Sequence, residues 1–100
     1  MIRVENKRTY KGDGVYIGRP SIFGNPCKDG TREENVAGYT VYFRERYAKD
    51  KMFRTAVCAL AKQALIGELV LICWCDPLLC HGHVIRDFIQ YLNEVEGGPS

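Results

Sequence analysis

Three of the five cysteines and both histidines of this chain fall within eleven residues: Cys73, Cys75, Cys80, His81 and His83. Thiolates and imidazoles are ligands that zinc prefers, so Cys73, Cys75, Cys80 and His81, or His83 in its place, form a candidate site for zinc or an iron–sulfur cluster. The spacing is C-x-C followed by C-H, without the paired C-x-x-C knuckles of a typical zinc site. A thiol beside an imidazole is also the pairing of nucleophilic catalysis. Cys80 would be the nucleophile and His81, or His83, the base. Cys75 with Cys80 is a candidate redox pair, again without the C-x-x-C form. The plain alternative is packing, since cysteine behaves as a small hydrophobe and Cys73 suits a buried strand. Cys27 and Cys58 stand apart, and Cys58 sits beside an apolar helical stripe.

A second chemical stretch is "GRPSIFGNP", residues 18 to 26. Gly18 and Gly24 let the backbone come close to a ligand. Arg19 can grip a phosphate or carboxylate with two parallel hydrogen bonds. Ser21 and Asn25 add neutral donors, and Asn25-Pro26 starts a turn. No G-K-[ST] follows, so this is not a Walker loop. Tyr16 and Phe23 flank it with rings suited to stacking on a base or to filling a core. The competing reading is a rigid connector with Arg19 solvated.

The elements that must hold these stretches follow from periodicity. Residues 2 to 5, "IRVE", alternate as a half-buried strand does, and "VYI" (15 to 17) is a second short β-rich run. Thr31 and Glu34 have the form of a capping box opening a helix to about Lys49, with Val36, Tyr39, Phe43 and Tyr47 on one side. Asp50 caps a second helix with an apolar stripe of Phe53, Val57, Leu60, Ala61, Ala64 and Leu65, stopped at Gly67. The apolar run from about 69 to 75 reads as a central strand covered on both faces, with Cys73 and Cys75 on one face and Trp74 on the other. Asp76-Pro77 breaks it, and a last amphipathic helix runs from about Gly82 to Glu94. The expected fold is α/β, order β-β-α-α-β-α: a small sheet with helices packed on it, Rossmann-like. Residues 96–100 read as a loose tail.

That order places the Cys80–His81–Gly82 corner where a central strand ends and a helix begins, the usual ligand position in open α/β sheets. Helix-start amides and the helix dipole favour an anion there and lower the pKa of a thiol, which singles out Cys80.

One hundred residues make one domain, 1–100, with a modest core. Apolar residues are 46% and charged residues 26%, ordinary for a globule. A net charge of +2 and a pI near 8.3 fit a phosphate-bearing ligand and fall far short of a nucleic-acid-binding stripe. No helix-turn-helix spacing or basic helix points to a sequence-specific DNA reader. No apolar run reaches membrane-spanning length, and "MIRVENKRTY" carries no signal region. The expected compartment is cytoplasmic, where clustered thiols bind metal or react before they pair as disulfides.

Together "VYIGRPSIFGNP" (15 to 26) and "LICWCDPLLCHGHVI" (71 to 85) resemble the DUF4326 family of short phage and bacterial domains. Its pattern joins a G-R-x-S-x-[FW]-G-N-P loop, a helical middle and a C-W-C-x-P-x-x-C-H-G-D-[VI] strand-to-helix element. The match spans nearly the whole chain. The departure is His83, where the pattern carries aspartate. The second element is also similar to the strand-to-helix motif of the DUF488 family. The resemblance implies one site built from both motifs, in a bacterium or an infected host cell, and implies no activity.

The leading expectation is a ligand-binding α/β domain, an enzyme in one version, for a nucleotide or other phosphate-bearing small molecule. Arg19, Ser21, Gly24 and Asn25 would hold the phosphate with the amides at Cys80–Gly82, Trp74 or Phe23 would stack on a base, and Cys80 and His81 would do any chemistry. The second is a zinc-binding structural domain. The third is an interaction module for a host or bacterial protein, using tyrosines and arginines that the helix "YTVYFRERYAKD" (39 to 50) would expose.

Overall fold

The computed structural model describes residues 1–74 and 80–95. Their order is β1 (Ile2–Asn6), β2 (Val15–Tyr16), α1 (Arg32–Lys49), α2 (Lys51–Ile66), β3 (Leu69–Cys73) and α3 (His81–Val95). The expected β-β-α-α-β-α order is therefore the observed one. Cys75 and the 96–100 tail lie outside the described residues.

The sheet has three strands in the order β1-β3-β2, both pairs parallel. Ile2 lies opposite Leu69 and Asn6 opposite Cys73; Val15 and Tyr16 lie opposite Leu71 and Ile72. The most apolar strand is thus the central one, as a position between two partners favours. Its two faces differ. Leu69, Leu71 and Cys73 share one face, are fully buried and join the helical core; Val70 and Ile72 share the other, and Ile72 is only half-buried. The second face is shielded in part by the loop at Gly14, which closes on the Ile72 side chain.

Local chemistry explains the helix ends. Thr31 accepts from the Glu34 amide and Glu34 accepts from the Thr31 amide, a complete capping box. Asp50 serves two helices at once. Its N–H donates to the Arg46 carbonyl at the end of α1, and its carboxylate accepts from the Phe53 N–H at the start of α2 and from Arg46 Nε. Gly67 ends α2 with its N–H on the Gln63 carbonyl, in extended rather than left-handed backbone.

α2 and α3 pack on β3 over Leu69, Leu71 and Cys73, and α1 packs against both helices through an aromatic cluster. Phe43 lies edge-on to Phe53 at 5.1 Å and to Phe88 at 5.0 Å, and Tyr39 meets it at 5.8 Å. This corrects the expectation that residues 39 to 50 expose their tyrosines. Tyr39 is fully buried with its hydroxyl donating to the Phe23 carbonyl, and Tyr42 and Tyr47 are half-buried. Arg46 is half-buried as well, its guanidinium 4.6 Å from the Phe53 ring centre. Ring burial is worth more than a display of tyrosine on so small a core.

Candidate functional site

Both parallel pairs run toward the same end of the sheet, so the residues that leave β2 and β3 at their carboxyl ends emerge side by side. Ile17, Gly18 and Arg19 follow β2; Trp74 follows β3. The start of α3 is stitched to this edge. His81 Nε2 is 2.7 Å from the Ile17 carbonyl oxygen. A carbonyl can only accept, so Nε2 carries the proton and donates. Nδ1 is then the acceptor, and the Cys80 thiol, 3.6 Å away, donates to it. The sulfur also accepts from the Gly82 amide at 3.4 Å. Burial pushes the His81 imidazole below its ordinary value. The bond to Ile17 opposes this, and the charges of Arg19 and His83 add to it. His81 is therefore a neutral imidazole in one fixed tautomer, with the Tyr39 ring edge-on at 5.0 Å.

His83 completes the helix start. Its Nδ1 accepts from the Cys80 N–H at 3.2 Å, so residue 83 does for α3 what Glu34 does for α1. An aspartate at this position would offer an acceptor of the same kind. The bond also changes the expected role of the corner. The Cys80, Gly82 and His83 amides are already engaged, with His83 Nδ1, the Cys80 sulfur and the Cys80 carbonyl. They are not donors waiting for a ligand. Gly82 faces away from the site and packs on the sheet: a Cβ there would sit 2.8 Å from Ile17 Cδ1 and 3.1 Å from Val4 Cγ1.

A cavity of about 470 Å³ lies between this corner, the Gly18–Asn25 loop and the start of α1. Arg19, Asn25, Trp74, Cys80 and His81 all line it, so the two motifs share one cavity although more than fifty residues separate them. Three expected ligand residues are not among its walls. Ser21, within the loop, has its Oγ buried, and Gly82 packs on the sheet. Gly24 is where the loop crosses itself: a Cβ would meet Arg19 Cγ at 2.9 Å. Asn25 lines the cavity but spends its amide on the loop, accepting from the Cys27 N–H and donating to the Asn35 carbonyl.

The cavity also has walls that reading the sequence missed. Lys28 and Arg32 line it, so with Arg19 it has three cationic side chains, and no Asp or Glu lines it among the described residues. The available signal was Arg32 itself: a cation at the first position of a helix opposes the dipole and calls for a reason. Cys27 is half-buried in the same wall. Trp74 is half-exposed, and its indole N–H donates to the Tyr16 hydroxyl at 2.9 Å, which donates in turn to the Arg19 carbonyl at 3.0 Å. Cys80, at 1% exposure, is the floor of the cavity rather than its rim.

For the zinc reading, no three His, Cys, Asp or Glu side chains among the described residues are grouped to hold a metal ion. Cys75 lies outside those residues, and with it the proposed pair with Cys80. No helix among the described residues is long and apolar enough to cross a membrane.

A small parallel α/β domain with a cationic cavity at its strand ends is the class these observations define. The chain belongs to the family described as a domain of unknown function, DUF4326, whose family model matches residues 2–91. No curated protein and no solved structure matches the chain.

Proposed function

We propose that this chain is a binding domain for a small phosphate-bearing molecule of nucleotide or nucleic-acid metabolism. The observation that carries the reading is the cavity itself, which Arg19, Lys28 and Arg32 line together with Cys80 and His81. Side-chain cations supply the affinity for the anion, since the Cys80, Gly82 and His83 amides are already bonded. The position outside the carboxyl ends of parallel strands is the one in which Rossmann-like domains take their ligands. In the enzyme version, Cys80 is the nucleophile and His81 Nδ1 takes the thiol proton, with the Ile17 carbonyl holding the ring in place.

Thermal shift with inorganic phosphate, pyrophosphate and a nucleotide panel tests the binding. A ligand at a hundred times its Kd stabilises the folded chain by about 2.7 kcal/mol, and Arg19→Ala or Lys28→Ala lowers that gain. Failure of every phosphate-bearing compound to raise the wild-type Tm would overturn the reading.

A further inference from the structure

The walls of the cavity are chemically divided. Arg19 in the loop after β2, Lys28 before α1 and Arg32 at the start of α1 bring positive charge, and the carboxyl ends of β2 and β3 bring aromatic rings, Tyr16 and Trp74. Inorganic phosphate would fill only a small part of 470 Å³ and would leave the aromatic side unused. That volume is toward the lower end of ligand pockets, about 300–1,000 Å³, which suits one nucleotide rather than a strand. Trp74 is a large apolar ring left half-exposed at the cavity, held by its N–H to Tyr16. The hydroxyl that holds it also bonds the Arg19 carbonyl, so the aromatic and cationic walls are tied together.

We infer that the cavity takes a nucleoside monophosphate, with the phosphate against Arg19 and Lys28 and the base against the Trp74 ring. This rests on the phosphate-binding reading above and adds the second half of the ligand. Discrimination between bases is weak. The side-chain amides of Asn25 and Asn35, which line the same cavity, are committed to the loop through the Cys27 and Gly30 amides and the Asn35 and Gly30 carbonyls. Stacking, which every base can do, is what remains. The four common monophosphates bind within about tenfold of one another.

Trp74 is the chain's only tryptophan, so its emission reports directly on the site. Wild-type protein is titrated with AMP, CMP, GMP and UMP, with adenosine, with ribose 5-phosphate and with inorganic phosphate. The expected result is quenching by the monophosphates, with binding at least tenfold tighter than by ribose 5-phosphate or adenosine. Calorimetry on Trp74→Leu then shows roughly tenfold loss for AMP and none for ribose 5-phosphate, while Arg19→Ala weakens both. Trp74 is half-exposed, so the leucine variant folds, which its circular dichroism verifies. Equal affinity for AMP and ribose 5-phosphate, or unchanged AMP affinity in Trp74→Leu, removes the base platform and leaves phosphate binding standing. Silence from every phosphate compound removes both.

Discussion

The imidazole of His81 carries more of the site than any other side chain. One nitrogen anchors α3 to the end of β2 and the other faces the Cys80 thiol. Its burial has a pH consequence with a definite sign. The folded-state pKa lies below the ordinary value of 6.5, so on acidification the unfolded chain takes up the proton first. The stability contributed by neutral His81 is present above 6.5 and is lost as pH falls through and below it. The Tm of the wild type therefore declines between pH 6.5 and 5, and His81→Gln, which cannot be charged, shows a shallower decline over that window. Equal slopes for the two proteins would contradict the assignment. The residue scale also shows where the sequence was least legible. Type and spacing marked Cys80 and His81 as a chemical pair, but nothing local reveals that the acceptor for His81 is Ile17, just past β2 and sixty-four residues earlier in the chain.

The single-residue joint at Asp50 is the clearest case of local sequence determining an element. One residue ends α1 and begins α2, with Arg46 holding the carboxylate from the preceding turn. Its carboxyl is held below the ordinary range, first by the Phe53 amide and next by Arg46. Asp50→Ala removes the cap and is expected to cost about 1 kcal/mol, the usual magnitude for such a change. Asp50→Asn or Asp50→Ser retains most of it, and urea denaturation of the three variants distinguishes capping from simple loss of charge. Because caps are short-range, the starts of α1 and α2 were readable from Thr31, Glu34 and Asp50 alone. The cationic wall was not. Arg32 was legible as a helix start and Lys28 as a loop residue, and only the folding of the loop back over α1, through Asn25 to Asn35, brings them to Arg19. The helical spacing set Tyr39 and Tyr47 on the packed side of α1, and only the reading of α1 as an interaction surface exposed its tyrosines, for a related reason. A helix in isolation has two sides for its rings, and the one that wins depends on where Phe53 and Phe88 arrive.

At the scale of the molecule, the central position of β3 was legible because a continuous apolar run needs cover, yet its partners were not, since both pairings are long-range. Ile2 must find Leu69, and Val15 must find Leu71. This order imposes a schedule on synthesis. β1 leaves the ribosome before β3 and has no sheet partner among the described residues until β3 emerges, on the order of several seconds later at ordinary elongation rates. The paired helices α1 and α2 can assemble in the meantime, since their contacts are local. Ribosome-arrested chains of increasing length make this visible: limited proteolysis should find residues 2–6 protected only once Cys73 is outside the exit tunnel, and earlier protection would contradict it. Until then β1 is an unpaired β-edge, open to chaperones and to neighbouring nascent chains alike.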